Sequence, residues 1–208
     1  TILDSDDSNV LIKNILKDLN YDENYRAIKS IISNNKNALI DSYDYERFVS
    51  NDYEKMILEI YRKYEERLKR NNSVDFDDLL MLPIVLFRKY PEILKEYQEQ
   101  YKYILIDEYQ DTNEAQYLLA KMISAKYKNI CVVGDDSQSI YSWRGSNYRN
   151  ILNFEKDYPD CKTVYLEQNY RSTKTIIEAS NELIKNNVHR KDKNLWTENE
   201  DGVKIEYH

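Results

Sequence analysis

The first seventy residues place apolar side chains three and four positions apart, with no run that alternates as a strand does. Residues 8–19 form one such apolar helical face, with Ser8 as its predicted cap. Residues 53–68 carry a longer apolar stripe whose opposite face is charged. These patterns predict a module of helices that packs its own core, and none of its residues indicates catalysis.

From residue 74 onward, short apolar runs alternate with helical periodicity. A helix is predicted from residue 74, with a break near Pro83 and a new start at Pro91. The predicted strands are residues 103–107, 130–133 and 163–167, and residues 194–208 predict a loop and a final strand. Short apolar strands with intervening helices indicate an α/β fold whose parallel sheet is covered by helices on both faces.

A polar cluster follows each of the three predicted strands. Asp107 and Glu108 come directly after the first, Gln138 lies in the loop after the second, and Arg171 follows the third. Because ligands bind at the carboxyl ends of the strands in such sheets, we expect these clusters to converge on one site.

The acidic cluster suits metal-assisted hydrolysis. Asp107, held rigidly at a strand end, can bind Mg²⁺ through water. Its neighbour Glu108 points elsewhere and can act as a general base on an attacking water. The alternative is that the acids only begin the next helix, with Asp111 and Thr112 as caps.

The other two clusters suit a phosphate and unpaired bases. The Gln138 amide can bond a phosphate oxygen or a water, and Tyr141 and Trp143, with Arg144 beside them, can stack on bases. Arg171 can stabilise charge on a terminal phosphate. The alternatives are an aromatic pair in the core and a solvated arginine beside a helix cap.

Net charge and composition limit the partners and the compartment that the sequence predicts. The net charge of −7 argues against DNA binding by bulk attraction, so any nucleic-acid contact is expected to be local. The two cysteines form no disulfide framework or metal spacing, which favours a cytoplasmic protein. The longest apolar run, residues 79–87, is too short to span a bilayer, so no membrane contact is expected.

Three segments carry a family resemblance. In this order and spacing, "ILIDEYQDTN", "VVGDDSQSIYSWRGS" and "LEQNYRST" resemble motifs II, III and IV of the UvrD/PcrA/Rep-type superfamily 1 DNA helicases. "NSVDFDDLL" at residues 72–80 also matches a family segment. The resemblance covers nearly the whole chain and is loosest in the first seventy residues. It implies an ATP-driven motor that moves on single-stranded DNA, typically 3′ to 5′, and unwinds duplex junctions.

The resemblance also implies a domain plan with two RecA-like (P-loop NTPase) domains and ATP between them. Residues 1–70 resemble the mainly helical accessory subdomain inserted in motor domain 1. Residues 71–161 resemble the second part of that partial RecA-like sheet. Residues 162–208 resemble the start of motor domain 2.

The resemblance assigns roles to the nucleotide-binding residues. Asp107 would hold Mg²⁺ through water, and Glu108 would activate the hydrolytic water. Gln138 would couple the terminal phosphate to the DNA-binding loop. Tyr170 would stack on adenine, and Arg171 would touch the γ-phosphate from across the cleft.

Four residues are implied to contact single-stranded DNA. Tyr141, Trp143 and Arg144 would line the DNA track, and Phe76 would add an apolar contact. The segment containing Gln138 and the aromatic residues would thus join the ATP site to the DNA site.

The sequence departs from the family in lacking a phosphate-binding loop. It has three glycines, and none precedes a Lys-Ser/Thr pair as a P-loop requires. Because the chain begins at Thr1 and not at Met, we expect it to be a piece of a longer protein. Because it lacks the phosphate-binding loop, we expect it to hydrolyse ATP negligibly by itself. Loss of neighbouring strands would expose apolar surface and an unpaired sheet edge, so either the isolated chain self-associates or the rest of the longer protein covers this surface.

Two alternatives stay open at this stage. The chain could belong to a non-catalytic module, derived from a helicase, that binds nucleic acid or a partner protein. It could also belong to a helicase-nuclease. An upstream Gly-Lys-Ser/Thr loop would favour the motor, and a downstream acidic nuclease domain would favour the last.

Overall fold

A computed structural model of the protein describes residues 1–142, 145–187 and 191–206. Within these ranges the fold is mainly helical with one small parallel sheet, which confirms the mixed α/β prediction at that level. The helices are α1 Ser5–Asp18, α2 Tyr25–Asn37, α3 Ser42–Tyr45, α4 Asp52–Arg70, α5 Asp78–Lys89, α6 Pro91–Gln100, α7 Glu114–Ser124, α8 Arg149–Leu152, α9 Phe154–Asp157 and α10 Lys174–Ile184. None of them, within the described ranges, is long and apolar enough to cross a bilayer.

The helical module predicted for the first seventy residues is confirmed. Helices α1, α2 and α4 bury one face each around a shared apolar core, which stabilises the module by removing that surface from water. Ile12, Ile28, Ile57 and Tyr61 are fully buried in it. The apolar stripe of α4 supplies several of these side chains, as its spacing predicts.

The first helix begins earlier than its predicted cap. Asp4 accepts hydrogen bonds from the backbone N–H groups of Asp6 and Asp7 at 2.8 Å, and the Asp7 carboxylate accepts one back from Asp4 N–H. Ser8 lies inside α1, buried, and donates its hydroxyl to the Asp4 carbonyl at 2.8 Å. The prediction of a Ser8 cap was wrong, because the upstream carboxylates already satisfy the free N–H groups.

The two ends of the helical module lie side by side. Leu3 N–H donates to the Val74 carbonyl at 2.8 Å, and Val74 N–H donates to the Thr1 carbonyl at 2.9 Å. These backbone hydrogen bonds hold the two ends of the helical module next to each other.

Helix α5 continues through Pro83, so the predicted break there was wrong. Proline removes one backbone hydrogen bond of the helix. Burial of Met81, Ile84 and Phe87 on one face of α5 offsets that loss by holding the helix against its neighbours. Helices α6 and α7 pack against α5, and α6 begins at Pro91 as predicted.

The sheet pairs β1 (Ile104–Ile106) with β2 (Ile130–Val132) in parallel, and α7 lies between them in the chain. Leu105 lies opposite Cys131, and both are exposed; the Leu105 side chain is 78% exposed. The expectation of a sheet covered on both faces was therefore wrong for the residues described here. The apolar side chains of this face are open to solvent, because no described helix packs on it.

The third predicted strand, residues 163–167, does not join the sheet. Its residues have no ladder partner, and Leu166 is 79% exposed. The nearest pairing is a single parallel bridge between Gln168 and Trp196. The final strand is also absent from residues 201–206. Both strand predictions were wrong, because an apolar run becomes a strand only where another strand offers its backbone hydrogen bonds.

Candidate functional site

The acidic turn, defined as residues 107–113, begins where β1 ends. Glu108 adopts the left-handed conformation (φ 51°, ψ 42°), so the chain reverses direction directly after the strand. Asp107 Oδ1 accepts a hydrogen bond from Glu108 N–H at 2.9 Å, and both carboxylates are exposed. This sharp turn separates the two side chains, although they are neighbours in sequence. The left-handed conformation costs a non-glycine residue about 1–2 kcal/mol.

The acidic turn does more than cap the next helix. The cap of α7 is Asn113, whose side chain accepts from Gln116 N–H at 2.9 Å while the Gln116 side chain accepts from Asn113 N–H. Neither Asp111 nor Thr112 has this role, so that alternative is excluded. Asp107 and Glu108 are left facing solvent at the end of the strand.

Gln110 joins the acidic turn to the loop that follows β2. Its side chain is almost completely buried, with 1% of the residue exposed. The amide Nε2 donates to Glu108 Oε2 at 2.8 Å, and Oε1 accepts from Asp135 N–H at 2.9 Å. A Cβ atom at Gly134 would lie 2.4 Å from Gln110 Oε1. Glycine is therefore required at residue 134 by the close approach of this amide.

Gln138 is held within its own loop. Its Nε2 donates to Asp135 Oδ2 at 2.8 Å, and Ser137 N–H donates to the other oxygen of the same carboxylate. Lys193 forms an ion pair with Asp135. Burial opposes ionisation of Asp135, but the hydrogen bonds from Lys193 and Gln138 lower its pKa below the ordinary value. Hydrogen bonds to the ionised Asp135 carboxylate thus hold this loop together.

A cavity of about 1020 Å³ runs along the open face of the sheet and reaches the carboxyl ends of the two strands. Its lining includes Asp107, Glu108 and Gln138 together with Lys191 and Lys193. Its volume slightly exceeds the range of about 300–1,000 Å³ that is usual for small-molecule sites. The structure therefore brings together the residues predicted to meet the phosphates and the attacking water.

The two residues predicted to bind adenine and the γ-phosphate lie elsewhere. Tyr170 is 78% exposed and donates its hydroxyl to Gln168 Oε1 at 2.8 Å. Arg171 is exposed, and its N–H donates to Asn169 Oδ1. Neither residue lines the cavity. Two of the three predicted polar clusters therefore border this cavity, and the third does not.

The aromatic loop, defined as residues 139–147, is attached to the acidic turn at both ends. Ser139 Oγ donates to the Gln110 carbonyl at 3.2 Å. Asn147 N–H donates to the Thr112 carbonyl at 2.9 Å. Of the residues predicted to contact DNA in this loop, Tyr141 is 39% exposed. The predictions for Trp143 and Arg144 lie outside the described residues.

Phe76, the remaining predicted DNA contact, is presented by a rigid turn. Its side chain is 58% exposed. On either side, Asp78 N–H donates to Asp75 Oδ1 at 2.9 Å and Asp75 N–H donates to Asp78 Oδ2 at 3.2 Å. Buried Lys36 of α2 donates to both carboxylates. The helical module thereby fixes the turn that exposes Phe76.

Sequence reasoning missed three residues that organise these sites: Gln110, Asp135 and Lys36. Gln110 and Asp135 stand within the motifs, two positions after Glu108 and three before Gln138, and that spacing was an available signal. Lys36 gave none, because a lysine on a helix usually faces solvent. Its burial depends on carboxylates that are distant in sequence.

The profile of the UvrD/REP helicase N-terminal domain matches residues 1–159, and that of the UvrD-like helicase C-terminal domain matches residues 164–208. The chain belongs to the UvrD/Rep helicase family. Individual proteins of this family are similar to the chain over the whole length of the chain. The ATP-dependent DNA helicases PcrA of Bacillus subtilis (strain 168) and Staphylococcus aureus (strain Mu50 / ATCC 700699) are 49% and 50% identical over 211 residues.

These matches cover 100% of this UvrD/Rep-family chain but 29% of the length of each relative. A PcrA protein of Staphylococcus epidermidis is 49% identical with the same coverage. The family assignment confirms the resemblance that the three motifs carry.

Proposed function

We propose that residues 1–208 form the central part of an ATP-dependent motor that moves on single-stranded DNA, typically 3′ to 5′, and separates duplex DNA ahead of it. The observation that carries this proposal is that Asp107, Glu108 and Gln138, which follow the two strands, line one cavity. The printed names of the relatives, ATP-dependent DNA helicases, support it. In this proposal residues 1–70 are the helical accessory subdomain inserted in motor domain 1. Residues 71–161 are the second part of that motor domain, and residues 162–208 are the start of motor domain 2.

The donor atoms at the acidic turn fit Mg²⁺. Asp107 offers an exposed carboxylate, and Asp111 Oδ1 is buried with no hydrogen-bond partner among the described residues. No cluster of three or more possible ligands occurs in the described part of the chain. That donor set suits Mg²⁺, which usually binds one or two carboxylates and takes its other oxygens from water and phosphates.

Each side chain has a defined task in this proposal. ATP with Mg²⁺ supplies the free energy of the motor. Asp107 holds the cation through water, and Glu108 accepts the proton of the attacking water. Gln138 bonds the terminal phosphate, and Tyr170 and Arg171 approach adenine and the γ-phosphate when the motor domains close. Since Tyr170 and Arg171 lie off the cavity here, their roles require that closure.

The DNA track in this proposal consists of exposed aromatic side chains. Phe76 and Tyr141 stack on unpaired bases, and Trp143 and Arg144 take the DNA contacts that the resemblance implies. The net charge of −7 leaves little bulk attraction for DNA, so these local contacts supply the binding.

The test uses the full-length protein that contains this chain. Single-stranded DNA should stimulate its ATP turnover, and it should separate a duplex that carries a 3′ single-stranded tail. Glu108→Gln should lower turnover by about 10²–10⁴-fold, because general-base catalysis is lost. Glu114→Gln, which changes an exposed acid in the first turn of α7, is the matched control and should keep full turnover.

A full-length protein that binds single-stranded DNA but hydrolyses no ATP would favour a non-catalytic binding module instead. The 208-residue chain alone is a different case. It contains no Gly-Lys-Ser/Thr segment to cradle the phosphates, so we expect it to turn over ATP negligibly.

A further inference from the structure

We propose that Gln110 is a positioning residue that holds the Glu108 carboxylate and couples it to the aromatic loop, an inference that rests on the proposed function. The first observation is its set of three side-chain hydrogen bonds, the longest of which Nε2 donates to Asp111 Oδ2 at 3.4 Å. Nε2 donates to Glu108 Oε2 at 2.8 Å while Oε1 accepts from Asp135 N–H at 2.9 Å. One planar amide therefore fixes the distance between the acidic turn and the loop after β2.

The fit around this amide leaves it little freedom. The residue is 1% exposed, and a side chain at Gly134 would collide with its oxygen at 2.4 Å. Neighbouring backbone bonds hold the same junction, since Tyr109 N–H donates to the Val133 carbonyl at 2.9 Å. A buried amide whose donor and acceptor are both satisfied resists rotation, because any other orientation leaves a buried polar atom unpaired.

The backbone of Gln110 extends the connection to the aromatic loop. Its carbonyl accepts from Ser139 Oγ at 3.2 Å, at the start of that loop. The end of the loop is attached close by, where Asn147 N–H and Asn150 Nδ2 donate to the Thr112 carbonyl. Both ends of the aromatic loop are thus hydrogen-bonded to residues 110–112. A shift of Glu108 is transmitted through Gln110 to the loop that carries Tyr141.

Gln138 does not make this connection in the described structure. Its side chain bonds Asp135 of its own loop, and its link to the acidic turn passes through Asp135 N–H and the Gln110 amide. The direct bridge between the predicted general base and the aromatic loop is therefore Gln110. An error of about 1 Å in the position of a catalytic group can cost about 10²-fold in rate.

The first experiment measures ATP turnover by the full-length protein with saturating single-stranded DNA. Gln110→Met keeps the length of the side chain and removes all three hydrogen bonds of the amide. We expect kcat to fall about 10–100-fold with a much smaller change in KM for ATP, and the ratio of DNA-stimulated to basal turnover to fall with it. Ser139→Ala, which removes only the loop bond, should lower that ratio and leave a higher kcat than Gln110→Met.

The matched control is Gln98→Met. Gln98 is also a buried amide, donating to the Met122 carbonyl at 2.8 Å, but it lies on α6 away from the acidic turn. It should keep the wild-type kcat and stimulation ratio even where its thermal unfolding midpoint falls. This control separates loss of packing from loss of positioning.

The second experiment needs no turnover. Hydrogen exchange of the full-length protein without nucleotide should show the Asp135 amide exchanging about fivefold faster in Gln110→Met, since one hydrogen bond is lost. Unchanged exchange together with unchanged kcat and stimulation in a folded Gln110→Met protein would overturn the inference. A wild-type protein without DNA-stimulated ATP turnover would instead overturn the proposed function, and the exchange result would still report whether the amide ties the two segments.

Discussion

The ammonium group of Lys36 lies 2.8 Å from Asp75 Oδ2, and only 1% of the lysine side chain is exposed. Asp78 Oδ1 lies at the same distance, and Tyr64 donates its hydroxyl to Asp75 at 2.9 Å. Burial alone would raise the pKa of Asp75, but the Lys36 ammonium lowers it below the ordinary value. This cluster connects the helical module to the turn that exposes Phe76.

Removing the cation should destabilise the protein strongly. Lys36→Met leaves two buried carboxylates without a counter-charge, and breaking a buried pair in this way costs about 3–5 kcal/mol. Denaturant unfolding of the full-length protein, with hydrogen exchange in α2 and α4, measures the loss. Lys63→Met is the control, because Lys63 pairs with Glu66 on the surface at 3.0 Å and such pairs contribute about 0–1 kcal/mol. Equal losses in the two variants would show that the buried cluster adds nothing.

The local pattern predicted the helices well, because amphipathic spacing and buried apolar faces reinforce each other. It failed where partners decide the structure. Residues 163–167 have the composition of a strand, but among the described residues their backbone pairs only at Glu167, whose carbonyl accepts from Trp196 N–H at 2.9 Å. The motifs indicated Asp107, Glu108 and Gln138, which line one cavity. The connection through Gln110 was not visible, because a glutamine's partners are set by the packing of two separate loops.

Phe76 should contribute to DNA binding. Phe76→Ala in the full-length protein should weaken single-stranded DNA binding by about 1–3 kcal/mol, the usual value of one stacked base. Fluorescence anisotropy with a labelled oligonucleotide measures the affinity. Phe48→Ala is a matched control, since Phe48 is 60% exposed, against 58% for Phe76, but lies in the helical module away from the rigid turn. An unchanged affinity for Phe76→Ala would remove this residue from the DNA track.

Glu65 should make stability depend on pH. Burial raises the pKa of this carboxyl above its ordinary value of 4.5, although Ser42 donates its hydroxyl and its N–H to it. Below pH 4.5 the group is protonated in both the folded and the unfolded state. As the pH rises through the folded pKa, the unfolded state releases the proton more readily, so the free energy of unfolding falls.

Glu65→Gln mimics the protonated carboxyl and removes this loss. Its thermal unfolding midpoint should exceed that of the wild type at pH 7, and the difference should vanish near pH 4. Glu66→Gln is the control: Glu66 is exposed, and the hydrogen bond from Lys63 lowers its pKa, so its replacement should give no gain at pH 7. A lower midpoint for Glu65→Gln at pH 7 would mean that the Ser42 bonds to the charged form outweigh the cost of burial.

The isolated 208-residue chain should self-associate through the open face of its sheet. Leu105 and Leu166 are 78% and 79% exposed and line the same cavity. Adjacent exposed apolar side chains and an unpaired strand edge favour association. Light scattering over a concentration series should therefore show a mass that rises with concentration.

Replacing both Leu105 and Leu166 with lysine should reduce the association, because the change removes exposed apolar surface and places charges along the cavity. Leu183→Lys is the control, since Leu183 is 73% exposed on α10 but does not line the cavity. If Leu183→Lys had the larger effect, the contact would lie on α10 and not on the sheet. A wild-type chain that stayed monomeric at every concentration would contradict the prediction, because its open sheet face would then be stable in water without a partner.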